Sequence, residues 1–198
     1  MSIGNSEHIE ELYVLFLLFL SGRLGRRQIS KILDIGEGRI KRIIKNLCEK
    51  NLVDVKRAGV ALNKNGLDYL FDCLTSVGVN AVGRFDVEEL CAACIGVGFQ
   101  FSNLIPSNVL EVRDEAVRGG AKGALIIHVV DGKWLLPPEA GDLRGYCPFL
   151  VEELDEAFRV KSGDTILLVF AEDLGRAIIG GLKAVLLAGS LFKSSIID

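Results

Sequence analysis

A single change of hydrophobic period between residues 37 and 62 limits the folds open to this chain. Residues 37–50 follow a helical period, with an apolar stripe made of Ile40, Ile43, Ile44 and Leu47. Residues 53–62 instead alternate apolar and polar side chains on both sides of a turn at Ala58 and Gly59. That alternation is typical of a β-hairpin. The sequence therefore predicts a helix followed directly by a short hairpin.

Three further helical segments surround this pair of elements. Residues 10–20 are apolar nearly all round, as in a helix buried in a small core, and residues 26–33 read as a short second helix. A turn follows at residues 34–37, where Gly36 can supply a left-handed conformation. Residues 67–74 predict a last helix after the hairpin. The order helix, helix, turn, helix, hairpin, helix is that of a winged helix-turn-helix domain, placed at residues 1–75.

Four short segments of this region resemble prokaryotic winged helix-turn-helix transcriptional regulators. They are QISKIL at 28–33, GEGRI at 36–40, LCEKNLV at 47–53 and LNKNG at 62–66. The resemblance covers about residues 10–74 and implies a DNA-binding fold. The whole chain also resembles a small group of archaeal two-domain proteins, mostly called hypothetical, through RDEA at 113–116, GAKGA at 120–124 and DGK at 131–133. That second resemblance implies no known activity.

Charge is segregated along the chain. Residues 21–64 contain twelve Lys or Arg and four Asp or Glu, a balance of +8. Residues 65–198 contain eleven and nineteen, a balance of −8, and three more acids in residues 1–20 bring the net charge to −3. The overall charge therefore says nothing about nucleic acid. The segregation indicates a module that binds a polyanion, joined to a second domain.

The basic residues coincide with the parts of a winged helix that touch DNA. The outward face of the third helix reaches base edges in such proteins, so Arg39 and Arg42 are the candidates for base contacts. The expected phosphate contacts are Arg26, Arg27, Lys31, Lys41 and Lys45. Lys56 and Arg57 lie near the tip of the hairpin and would reach an adjacent groove or the backbone. The alternatives are a solvated surface helix, or a winged helix that binds RNA or protein.

Residues 84–198 predict a second domain after a linker at residues 75–83. Strands are expected at 89–97, 124–130, 133–136 and 165–170, and helices at 112–118, 149–158 and 174–192. The predicted fold class is thus α/β in the broad sense of mixed α+β, with a mixed sheet in the second domain. No segment predicts a membrane span, because the apolar run at 177–192 is interrupted by Lys183 and several glycines.

Three features of the second domain invite a chemical interpretation. Cys91 and Cys94 have the CxxC spacing of a metal or redox pair, but no second CxxC follows, and structural cysteines packed in a strand or core are the simpler interpretation. The five cysteines as a whole suit reduced thiols in a cytoplasm. His128 lies in an apolar strand and is expected to be a packed histidine. No catalytic residue, metal ligand or cofactor is predicted.

A small ligand, if one binds, is expected where a buried strand gives way to a helix. The carboxyl ends of strands in open α/β sheets and the N-termini of helices favour such sites. The candidate residues are Arg113, Asp114, Glu172, Asp173 and Arg176. The simpler alternative is that the two acids of this segment, Glu172 and Asp173, cap the helix.

The sequence thus favours a cytoplasmic transcriptional regulator. Residues 1–75 would bind double-stranded DNA, while residues 84–198 would sense a small-molecule effector, form a homodimer, or do both. Two other interpretations remain open. One is a cofactor-metabolism enzyme of the archaeal kind that carries an appended winged helix, and the other is a domain that only holds partners.

Overall fold

The structure is a computed structural model that describes residues 6–102, 108–137 and 141–194. The chain divides into two compact units, Met1–Cys73 and Leu74–Asp198, hereafter unit 1 and unit 2. The described residues form a two-stranded and a five-stranded sheet together with helices. The fold is therefore mixed α+β, which confirms the predicted class.

Unit 1 has the element order of a winged helix. Its elements are α1 (Ser6–Ser21), α2 (Arg26–Leu33), α3 (Glu37–Glu49), β1 (Val53–Lys56), β2 (Gly59–Leu62) and α4 (Lys64–Thr75). β1 and β2 pair antiparallel to form the wing, and a backbone bridge between Leu24 and Val60 ties the segment before α2 to it. The core gathers the apolar stripes of the helices. It includes Leu15, Phe16, Ile29, Ile40, Leu47 and Leu70.

The turn between α2 and α3 differs from the prediction at one residue. Asp34 has the left-handed conformation, with φ 52°, whereas Gly36 is extended with φ −53° and precedes α3 as its N-cap. Asp tolerates the left-handed region better than most residues. The Ser30 hydroxyl closes the turn by donating to the Ile35 carbonyl at 2.6 Å.

The junction between the wing and α4 is unusually tight. The Asn63 side-chain oxygen accepts a hydrogen bond from the Gly66 N–H at 2.9 Å, which caps the start of α4. Gly66 is buried against the backbone of Leu52, at the start of the wing. A Cβ at this position would lie 1.9 Å from the Leu52 carbonyl oxygen, so only glycine fits.

Unit 2 is built on a five-stranded sheet with helices on both faces. Its strands are β3 (Val79–Asp86), β4 (Ile95–Ser102), β5 (Gly123–Val130), β6 (Lys133–Leu135) and β7 (Asp164–Ala171), in the order β3-β4-β7-β5-β6. Its helices are α5 (Val109–Arg118), α6 (Pro148–Phe158) and α7 (Leu174–Ser194). Every pairing described in the sheet is antiparallel, so the sheet is not the mixed one expected.

The two faces of this sheet have separate cores. One face packs on α5 and α7, and there Phe99 of β4 lies against Gly181 of α7. The other face carries Phe85, Ile127 and Leu168, which share a buried cluster with α6. The apolar runs of β5 and β7 are thus buried on both sides, as their sequences predict.

Two predicted boundaries in unit 2 are wrong. The supposed linker at residues 75–83 contains the first half of β3, and Gly83 lies beneath the rings of Phe85 and Phe158. The supposed strand at residues 89–97 consists of turns up to Cys94, and β4 begins at Ile95. In both places glycines that make room for neighbouring side chains weaken the strand signal.

Helix α7 is long and apolar enough, by length and composition alone, to cross a membrane between Leu174 and Leu191. Within unit 2 it packs on β4, β7 and α5, and 56% of that segment is buried. Its apolar residues are therefore accounted for by the core of unit 2.

Candidate nucleic-acid interface

Helix α3 separates its apolar and basic residues on opposite faces. Ile40, Ile43 and Leu47 are buried against the rest of unit 1. Lys41, Arg42 and Lys45 are exposed on the opposite side. Lys45 lies 3.6 Å from Glu49 one turn later, but both side chains are well exposed, so this pair contributes little and can exchange partners. The predicted outward placement of these three cations agrees with the structure.

Arg39 lies at the edge of the basic face of α3, one turn before Arg42. Its Nε donates to Glu10 of α1 at 2.6 Å, and only 27% of its side chain is exposed. The position directly before Ile40 is at the edge of the apolar stripe, next to α1. Arg39 is therefore only partly exposed, whereas the sequence predicts that it faces solvent for base contact.

Two acids of α1 were missed by the sequence interpretation. Glu11 is almost fully buried, and its Oε2 accepts from Lys50 Nζ at 2.6 Å. Glu10 holds Arg39 in the same way. The only signal in the sequence is a pair of adjacent acids inside an otherwise apolar helix. Both carboxylates are directed to the edge of α3.

The remaining predicted contacts of the first three helices lie at the surface. Arg26 and Arg27 approach Glu37, in the first turn of α3, with N···O distances of 3.6 and 3.7 Å. Lys31 is exposed, and no ion pair with another described residue is found for it. Glu37 thus gathers two arginines at the N-terminal end of α3.

The wing presents its basic residues at the tip of the hairpin. Lys56 and Arg57 are both exposed, and Val55 beside them is exposed as well. Arg23, which precedes α2, contacts the hairpin at the first residue of β2. Its Nη1 donates to the Gly59 carbonyl at 2.9 Å. Arg23 was not among the predicted contacts, and its observed role is to fix the wing.

The predicted ligand residues of unit 2 lie in ion pairs at the surface. Arg113 lies 3.8 Å from Asp114, Arg176 lies 3.3 Å from Asp173, and Glu172 lies 3.4 Å from Lys122, which was not among the predicted residues. Asp173 also accepts from the Arg176 N–H and so caps α7, the simpler alternative. The rule that ligands collect at strand ends applies to parallel sheets, whose carboxyl ends share one edge. An antiparallel sheet distributes those ends over both edges.

The CxxC pair differs from the expectation in both structure and oxidation state. Cys91 and Cys94 lie in the turns between β3 and β4, not in a strand, and they form a disulfide. His128 agrees with the prediction of a packed histidine, with its Nδ1 3.2 Å from the Thr165 hydroxyl. Among the described residues no group of three or more His, Cys, Asp or Glu is placed to hold a metal ion.

A cavity of about 470 Å³ opens beside this disulfide. It is lined by Arg84, Phe85, Asp86, Cys94, Ile95 and Glu153. Glu153 is exposed as a residue, but desolvation of its carboxyl by neighbouring atoms raises the pKa of that group above its usual range. The hydrogen bond from the Asp86 N–H opposes the shift and the Asp86 carboxylate adds to it. Ionised Glu153 is therefore less favourable in the folded state than in the unfolded one.

This shift predicts a pH-dependent gain from Glu153→Gln. Because the folded-state pKa is raised, the neutral form stabilises the fold at acid pH, and that contribution is lost as the pH rises through the folded-state pKa. The variant is expected to be slightly more stable than the wild type at neutral pH and equal to it at acid pH. Urea unfolding at both pH values measures this. Glu156→Gln, exposed on the same helix, is the control, and equal gains for both variants at neutral pH would contradict the assignment.

Sequence and structure comparisons agree on the relatives of this chain. Residues 8–68 match the family described as "PH0730-like, N-terminal domain", and residues 92–191 match the "Domain of unknown function (DUF4443)". Among solved structures, a hypothetical protein, PH0730, from Pyrococcus horikoshii OT3 is 25% identical, with a TM-score of 0.68 over 94% of each chain. No curated protein matches the chain significantly. Since the second match spans just over half of the sequence, the chain belongs to the DUF4443 family, with a PH0730-like domain at its N-terminal end.

Proposed function

We propose that unit 1 binds double-stranded DNA, with α3 in the major groove and the wing on the adjacent backbone. The observation that carries the proposal is the exposed row of Lys41, Arg42 and Lys45 on the face of α3 opposite its buried apolar stripe. An α-helix fits the major groove of B-DNA, and the winged-helix order presents this face outward. The wing adds Lys56 and Arg57.

The distribution of acids in unit 1 supports the proposal. Glu10 and Glu11 neutralise Arg39 and Lys50 at the edge of α3, away from its outer face. These pairs fix the rotation of α3 about its own axis relative to α1. The outer cations are thus presented at a fixed orientation, which base recognition requires.

The contacts divide by chemistry. Arg42 is the residue assigned to base edges, because a guanidinium can bind guanine through two parallel hydrogen bonds. Lys41 and Lys45 are assigned to phosphates, as are Lys56 and Arg57 of the wing. Arg39 becomes a positioning residue that acts through Glu10. This assignment differs from the sequence-based one at Arg39 and agrees with it at the other residues.

A protein with these contacts would act as a transcriptional regulator in the cytoplasm. Helix-turn-helix proteins generally bind as dimers to two half-sites about one helical turn apart. The proposal therefore includes a homodimer on a pseudo-palindromic operator. Selection of duplexes from a random pool by the full chain tests this, with a repeated half-site as the expected result.

Salt dependence of binding separates phosphate contacts from other modes. Loss of two phosphate contacts in Lys41→Ala/Lys45→Ala is expected to lower the slope of log affinity against log salt by about 2. Arg42→Ala is expected to cost about 1–3 kcal/mol on the selected sequence and to relax its preference at one base pair. Fluorescence anisotropy with a labelled duplex measures both effects.

The matched control is Lys133→Ala, which removes an exposed cation from the β5–β6 hairpin of unit 2. It is expected to leave affinity and slope unchanged. Binding that is insensitive to salt, or an equal loss in the control and the double variant, would overturn the proposal.

A further inference from the structure

The loop between β3 and β4 holds two cysteines in a fixed, accessible arrangement. The Cys91 N–H donates to the Val87 carbonyl at 2.8 Å, and the Cys94 N–H donates to the Cys91 carbonyl at 3.0 Å. These tight turns place the two sulfurs together and the disulfide joins them. Ala92 and Ala93 between them are exposed, and both cysteines are partly exposed. The bond therefore lies at the surface of unit 2.

A disulfide at this position contributes little as a structural link. It joins residues only three apart in sequence, so it restricts the unfolded chain far less than a bond that closes a long loop. The loop lies outside the strand ladder, whose pairing starts with Ile95 and Asp86. The bond can open without breaking any hydrogen bond of the sheet. These properties fit a bond that is made and broken in the folded protein.

The cavity beside the loop gives access to one of the two sulfurs. Cys94 lines it together with Arg84 and Glu153, which are exposed at the surface. Its volume of about 470 Å³ is enough for a small molecule. Cys91 is not among the lining residues, so a molecule in the cavity meets Cys94 first.

We propose that Cys91 and Cys94 form a reversible thiol–disulfide exchange site that accepts a low-molecular-weight dithiol through this cavity. This inference is independent of DNA binding. One thiolate of the dithiol attacks Cys94 Sγ, which forms a mixed disulfide and releases Cys91 as a thiolate that takes up a proton. The second thiolate of the dithiol then displaces Cys94 and closes a cyclic disulfide. Two electrons and two protons pass from the dithiol to the two cysteines.

Differential alkylation of the full chain tests the proposal, with dithiothreitol as the dithiol. The chain carries its own controls among the remaining cysteines: Cys48 is exposed, and Cys147 is only 2% exposed. After purification without reductant, iodoacetamide is expected to label Cys48 but neither Cys91 nor Cys94. After brief reduction under native conditions, Cys91 and Cys94 are expected to be labelled while Cys147 stays protected. Peptide mass spectrometry reads each site.

Two outcomes would overturn the proposal. One is labelling of Cys91 and Cys94 before any reduction, which means that the bond does not form. The other is labelling of these residues only when Cys147 is labelled too, which means that the bond opens only on unfolding. Because Cys147 reports the fold in the same sample, an unfolded preparation is recognised at once.

The two single variants test the cavity route. In Cys91→Ser the remaining Cys94 is expected to form a mixed disulfide with a small aromatic disulfide several times faster than Cys91 does in Cys94→Ser. The Cys147 peptide again reports the fold of each variant. An equal or faster reaction of Cys91 would overturn the role given to the cavity.

Discussion

Gly66→Ala is expected to unfold unit 1 under conditions in which the wild type is folded. The added Cβ would lie 1.9 Å from the Leu52 carbonyl oxygen and 2.9 Å from Leu62 Cδ2. A flexible side chain can move aside, but the backbone at Leu52 is held by a hydrogen bond to Leu47 at 2.9 Å. Overpacking ordinarily costs about 1–3 kcal/mol, and a backbone clash this close is expected at or above the top of that range. Whole domains are stable by only about 5–15 kcal/mol.

Hydrogen exchange of unit 1 peptides and far-UV circular dichroism measure the effect. The matched control is Gly38→Ala on α3, where an added Cβ meets no atom within 4 Å. Alanine is favoured over glycine inside a helix by about 1 kcal/mol, so the control is expected to be more stable than the wild type. A Gly66→Ala protein with normal protection in unit 1 would show that the junction of wing and α4 is not as tight as described.

Phe99→Ala is expected to destabilise unit 2 by about 3–5 kcal/mol. Phe99 is fully buried on β4, and its ring fills the space that Gly181 leaves on α7. Truncation removes apolar contacts on a strand next to the middle of the sheet. The single tryptophan of the chain, Trp134, is buried in unit 2, so its fluorescence during denaturant unfolding reports this unit directly. Phe149→Ala is the control, since that ring is 75% exposed and its loss is expected to change stability little.

The fit between Phe99 and Gly181 can be tested as a pair. Gly181→Ala alone would place its Cβ 2.7 Å from the Phe99 ring and is expected to destabilise unit 2 by overpacking. In the double variant Phe99→Leu/Gly181→Ala, the smaller side chain at 99 makes room for the methyl group added at 181. The double variant is expected to be more stable than the sum of the single changes predicts. Strict additivity would contradict the proposed contact.

The elements of unit 1 could be predicted because their signals are local. The apolar stripe of α3 and the alternation in the wing each lie within a few residues, and the outward cations follow from the stripe. The pairing of Arg39 with Glu10 could not be predicted. It depends on how α1 crosses α3, and no local pattern encodes a contact between residues 29 apart in sequence.

In unit 2, even more of the structure depends on contacts that local sequence patterns do not encode. The apolar runs of β5 and β7 identify them as buried strands, but the sequence does not specify their direction of pairing. The ligand cluster was expected at a shared carboxyl edge, which an antiparallel sheet does not have. The strand β3 was not predicted because Gly83 weakens its pattern. The missing side chain of Gly83 makes room for Phe85 and Phe158. The CxxC pair lies outside the strand because β4 begins only at Ile95.

The position of β7 has a consequence for the synthesis of the chain. β3 pairs with β4 and β5 pairs with β6 as local hairpins, but β7 is the strand that joins the two halves. A ribosome has made residues 1–163 before this strand begins, and until then the two hairpins have no shared partner. Unit 1 is complete long before that point and can fold while translation continues. The sheet edges of β4 and β5 remain open in the meantime, so the period of greatest exposure to mispairing comes late in translation and falls on unit 2 alone.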